Sequence, residues 1–178
     1  MPEIRGKFIT LAGSLMSLNP EQRDKADAVL FEKVGKHWKE LNPDDWYDAQ
    51  LYKIFLETYC EGSAAGEGAM VDLGRYIFPT KKELGELPQD LNSALDLLVY
   101  STESFAEDHR GSDIRPVKII KADEGDVEFD VPDHGYDCRV DEGVYLGILG
   151  MFDIENGKVE QTKCKKQGDS SCVFHITW

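Results

Sequence analysis

The sequence predicts an α+β domain. A mainly helical half, residues 1–111, precedes a β-β-α-β-β unit, residues 112–178, whose antiparallel sheet is covered on one face. Three observations predict this. Caps and apolar stripes of helical spacing fill the first half, the period changes to two from Ile114, and the C-terminal run CKKQGDSSCVFHITW reads as a closing hairpin. A chain of 178 residues fits one domain with a sizeable core.

The elements follow in order. LNPEQ at 18–22 and LNPDD at 41–45 each place Asn at an N-cap, Pro at the first helical position and an acid behind it. They predict helices over about 20–39 and 43–60, with Gln22 completing a capping-box spacing and Leu41 stapled to Trp46. EGSAAGEGAMVDLGRYIF, 61–78, lacks the Gly-Lys-Ser/Thr of a phosphate loop and predicts a close-packed helix of small residues ending near Pro79. KKELGELPQD reads as a polar connection. Leu91, Leu95, Leu98, Val99, Thr102 and Phe105 then mark a long helix ending near His109–Gly111.

RPVKIIKA and DVEFDV flank DEG, a hairpin signal. After the PDHG turn, GVYLGILGMFDI is apolar all round and predicts a buried helix, its glycines at 143, 147 and 150 lying close against the sheet. Residues 158–164 and 172–178 form the last hairpin, turning at Gly168.

Thirty-four acidic residues against twenty basic ones give a formal charge of -14, a field that repels nucleic acid. Lys163, Lys165 and Lys166 read as a solvated face. No stretch reaches the roughly 18–20 apolar residues of a membrane span. FITLAGSLMSL has Glu3 ahead of it and no clear cleavage site behind it, so it reads as a core element of a cytoplasmic protein.

Four cysteines stand at 60, 138, 164 and 172. With the turn at Gly168, Cys164 and Cys172 face each other across the hairpin, with Cβ atoms about 4.5–5.5 Å apart. Two thiolates so placed can share a zinc ion, and Cys138, at the entry to the preceding helix, can supply a third. A disulfide and free apolar thiols are equally compatible with the spacing. Cys60 reads as core.

The run from Cys138 to Trp178 resembles the C-terminal half of the 4-vinyl-reductase, or predicted hydrocarbon-binding, family. Metal-binding members place ligands as Cys-x22-Glu-x2-Cys-x7-Cys, which falls here on Cys138, Gln161, Cys164 and Cys172. The glutamate is replaced by Gln161, a neutral and poor zinc ligand. Glu160 is adjacent but points to the other strand face unless a bulge intervenes. The resemblance implies a fold shared with haem–nitric oxide sensor domains and TRAPP transport subunits. It also implies a small hydrophobic molecule held between helices and sheet, and homodimerisation.

For haem, the candidates are His37, His109, His134 and His175. The haem sensors' Tyr-x-Ser-x-Arg signature is missing, since YSTES at 100–104 lacks the arginine, so haem is not favoured. No Gly-x-Ser-x-Gly, HExxH or Walker motif occurs, and the chain reads as no enzyme. The expectation is a stand-alone sensory domain with a structural zinc site, signalling through a partner protein. The alternatives are a TRAPP-like interaction module without ligand and a haem-based gas sensor.

Overall fold

The computed structural model describes residues 1–112 and 114–178, and of Leu18 the backbone alone. The second half follows the sequence pattern closely. Strands β4 (Lys118–Asp123) and β5 (Asp126–Val131) form a hairpin. Its turn needs Gly125 at φ 80°, which a residue with a Cβ adopts at a cost. Helix α7 (Arg139–Gly150) leads to the hairpin of β6 (Lys158–Lys163) and β7 (Cys172–Thr177). The sheet order is β4-β5-β7-β6, all antiparallel. Val127, Phe129, Val131, Phe174 and Ile176 line its inner face, where Tyr145 of α7 sits 5.5 Å from the Phe129 ring and 5.4 Å from that of Phe174.

The first half departs from expectation in four places. Helix α2 (Pro20–Val34) does start behind Asn19, though that side chain makes no capping bond. It stops at Gly35, whose φ of 69° ends the helix well before residue 39. Asp27 then accepts from the Trp38 amide (2.8 Å) and holds His37 (2.8 Å), turning the chain.

No helix begins at residue 43. Asn42 Oδ1 accepts from the Asp44 amide in a local turn, and Trp46–Asp48 pairs with Glu3–Arg5 as strands β2 and β1. With β3 (His109–Arg110) these make a second sheet, β2-β1-β3. Arg5 and Arg110 lie over the Trp46 ring at 4.1 and 4.4 Å. That is a better use of an aromatic edge residue than a cap staple. Helix α3 (Ala49–Glu61) starts at Asp48, which accepts from the Gln50 amide.

The expected helix over 61–78 is two: α4 (Gly68–Arg75) and α5 (Ile77–Glu83). Pro79 lies in the first turn of α5, where its missing N–H costs nothing, so the helix runs through it. Part of the expected polar connection is therefore helical, and Lys81 in it is buried.

The glycines of α7 meet a helix, not the sheet. A Cβ at Gly143 would lie 2.1 Å from Val71 O and one at Gly147 2.3 Å from Arg75 O, both on α4, while at Gly150 it would meet nothing. FITLAGSLMSL forms helix α1 (Gly6–Leu15), with Phe8, Ile9 and Ala12 in the core. Helix α6 (Ala94–Asp108) begins in a capping box of Ser93 and Asp96. One hydrophobic cluster, from Ile4 to Ile176, joins both halves. Among the described residues, no helix is long and apolar enough to cross a membrane.

Candidate functional site

Two places concentrate chemistry, at opposite ends of α7's first turns. The first is the thiol cluster. Cys138 is the N-cap of α7, Cys164 follows β6 and Cys172 opens β7. The ladder pairs Lys163 with Val173, so one step further the two cysteines oppose each other across the turn at Gly168, φ 99°. All three are buried, and their Sγ atoms lie within 4.8 Å of one another, Cys138 and Cys164 at 3.9 Å. A tetrahedral zinc with Zn–S bonds near 2.3 Å sets sulfurs about 3.8 Å apart. The cluster therefore needs only a slight contraction to take the ion.

Gln161 belongs to the cluster because of a bulge between Gln161 and Lys163. In a regular strand, residues three apart face opposite ways. The extra residue brings Gln161 onto the face of Cys164, and the Cys138 thiol lies 3.7 Å from its Oε1. Among the described residues its buried Nε2 has no partner, and the Cys138 thiol is the amide's one hydrogen-bonding contact. Glu160 stays on the other face, paired across the ladder with His175.

The neighbouring Cys172 thiol and burial push the Cys138 thiol up, and the same thiol–thiol contact pulls Cys172 down. Charge around the cluster is balanced. Lys166 and Arg139 bind Asp137, and Lys165 binds Asp133, so the basic cluster is tied to the PDHGYD turn and is not simply solvated. Burial works against Asp137's charge, but the bonds from Arg139 and Lys166 overcome it and hold its carboxyl well below the usual range. Cys60 is buried in α3, and burial pushes its thiol up to about 11, in keeping with a core role.

The second place is a cavity of about 50 Å³ between α1, α5, α6 and α7, with Phe78, Phe105, Val144 and Tyr145 in its walls. Phe8, Ile77 and Lys81 separate it from an open groove of about 570 Å³ on the α1–α5 face. Lys81, Ser101, Ser104, His109, Tyr136 and Asp141 are hydrogen-bonded at the cavity. Lys81 donates to Ser104 Oγ (2.6 Å) and Asp108 Oδ2 (2.9 Å), and Lys7 pairs with the other Asp108 oxygen at 2.6 Å.

His109 is held on both nitrogens. Phe105 O can only accept, so Nδ1 carries the proton (2.8 Å), and Nε2 accepts from the Tyr136 hydroxyl (2.9 Å). Burial lowers His109 to about 3, helped by nearby His134, so the ring is neutral. His134 bonds Asp141 through Nε2 at 2.7 Å and stacks on Tyr136, while its buried Nδ1 has no partner among the described residues. Burial opposes its charge, but Asp141 outweighs burial and raises it. His37 and His175 sit at the surface on Asp27 and Asp126.

The sequence indicated Cys138, Gln161, Cys164 and Cys172, and the structure brings all four together. It missed Lys81, Asp108 and Tyr136. The signal available was weak: a lysine at helical spacing from Ile77 and Phe78.

No family model matches the sequence, and no curated protein does. Solved structures do. A structure described as "Probing the function of heme distortion in the H-NOX family" superposes with a TM-score of 0.72 over 98% of this chain and 95% of that one, at 16% identity. The chain has the H-NOX fold. A mutant of the T. tengcongensis H-NOX matches over 98% of this chain and 97% of its own, at TM-score 0.68 and 16% identity. An H-NOX protein from S. oneidensis in the Fe(II)NO state covers 97% of this chain and 98% of its own, at 0.63 and 11%. The H-NOX fold expected from the C-terminal resemblance is thus present along the whole chain. The 4-vinyl-reductase assignment that suggested it has no family match behind it.

Proposed function

We propose that the protein is a ligand-binding sensory domain. Its ligand site is the apolar groove on α1 and α5 together with the inner cavity behind Phe8, Ile77 and Lys81. The observation that carries this reading is that Phe8, Ile77 and Lys81 line both the groove and an inner, mainly apolar cavity inside an H-NOX fold. The cavity alone is too small for an organic molecule, since pockets for such ligands run to roughly 300–1,000 Å³. The groove supplies that room. The test is titration with 1-bromonaphthalene, a quencher of Trp38, which lines the groove. Saturable quenching, absent from Trp38→Phe, is expected. Quenching that rises linearly without saturation counts against the site.

At the other end, Cys138, Cys164 and Cys172 hold a structural zinc ion, with Gln161 completing the shell. Bound there, the ion ties the last hairpin to the start of α7, the helix that supplies Asp141 and Tyr145 to the cavity wall. No motif assigns a reaction, and we read the chain as non-catalytic, signalling through contact with a partner.

Haem is a second reading, favoured by the fold neighbours and by one residue. His109 is neutral, and its Nδ1–H is held by a carbonyl, as in many metal-binding histidines. The room does not suit it. Its Nε2 is engaged by Tyr136, and about 50 Å³ cannot admit a porphyrin without parting α5 from α6. Addition of haemin decides the matter: a Soret band lost in His109→Ala supports haem, and a spectrum equal to free haemin dismisses it.

A further inference from the structure

We infer that the molecule bound in the groove is an amphipathic carboxylate, its anion met by Lys81 and Lys7 and its apolar body lying along Trp38, Leu41 and Leu84. The inference rests on the reading of the groove as the ligand site and adds the chemical class.

The chain is strongly acidic, yet this groove faces Lys7, Lys39 and Lys81. Asp108 answers two of these ammonium groups at once, Lys7 at 2.6 Å and Lys81 at 2.9 Å. Among the described residues that line the groove, Glu86 is the one acid. Among the described residues that line the groove or pair with its lysines, two carboxylates stand against three ammonium groups, and Lys7 and Lys81 share one of them.

Lys81 is the more buried of the two lysines that share Asp108. Its side chain is 11% exposed and has three N–H bonds to place. Ser104 Oγ and Asp108 Oδ2 take two; among the described residues the third has no acceptor. A buried ammonium with a spare donor gains a charge-assisted hydrogen bond from an arriving carboxylate, and only a dipole from an alcohol. Lys7, about a third exposed, stands on the approach. Leu11, Pro43 and Ile77 extend the apolar lining, which rejects a ligand that is charged throughout. Two lysines sharing one carboxylate, and no arginine fork, suit a carboxylate ligand better than a phosphate ester.

The test compares 11-bromoundecanoate with 11-bromoundecan-1-ol at pH 8, read by bromine quenching of Trp38. The acid is expected to bind at least tenfold more tightly. Lys7→Gln, a mild change at a partly exposed position, should cut that preference several-fold without unfolding the chain. Equal affinity for acid and alcohol overturns the inference while leaving the groove as a ligand site. Saturable quenching by neither overturns both.

Discussion

Gly143→Ala is expected to wedge α7 away from α4. The added Cβ would stand 2.1 Å from Val71 O and 2.9 Å from the Gly74 Cα, whereas ordinary contact begins at 3.4 Å. Relief requires a displacement of about 1.3 Å between two helix backbones, which cannot swing aside as a side chain can. Overpacking costs about 1–3 kcal/mol and backbone clashes fall at the upper end, while alanine returns about 1 kcal/mol of helix propensity. The net loss should be about 2 kcal/mol, a large part of a typical domain's 5–15 kcal/mol. Gly150→Ala is the internal control. Nothing lies within 4 Å of its Cβ, so it should be neutral or stabilising by up to about 1 kcal/mol. Urea unfolding of the three proteins measures both effects. A Gly143→Ala protein as stable as the parent would refute the close α4–α7 crossing, and with it the placement of Cys138 and Asp141.

Three further outcomes follow from the site. Cys172→Ala should abolish stoichiometric zinc and lower the midpoint of thermal unfolding of metal-loaded protein, as read by metal analysis and calorimetry; unchanged values remove the cluster from the account. Gln161→Glu should strengthen zinc binding about tenfold or more, because a carboxylate is a zinc ligand where an amide is a poor one; competition with a chromophoric chelator reads this, and an unchanged affinity excludes position 161 from the shell. His109 refuses in the fold, down to about pH 3, a proton it takes near 6.5 when unfolded. Its contribution is therefore full above pH 6.5 and is lost as pH falls toward 3, by up to about 1.4 kcal/mol per pH unit. His109→Gln should flatten the stability profile between pH 6.5 and 4.5, and a slope equal to the parent's would contradict a buried neutral ring.

The second half was legible because its signals are local and redundant. Alternation in DVEFDV, a glycine turn at Gly125 and the cysteine spacing about Gly168 each fix a register by themselves. The first half misled where a local signal had two physical outlets. Asn42-Pro43 can open a helix or a turn, and pairing of Trp46–Asp48 with β1, forty residues away, decides for the turn. Strands of two or three residues carry no readable period, so the β2-β1-β3 sheet left no trace in the sequence. Pro79 reads as a stop unless the break at Tyr76 is known. Only the fold reveals which face the α7 glycines turn to α4, or that a bulge after Gln161 aligns it with Cys164.

A native mass spectrum of the protein purified from its own cells, beside a denatured sample, shows whether zinc and an organic acid are bound together. The native mass is expected to exceed that of the chain by one zinc ion and one small organic acid, both lost on denaturation. A native mass equal to the bare chain, or a denatured chain lighter by two hydrogens, would contradict it, leaving a thiol or disulfide hairpin on an H-NOX fold that holds no ligand.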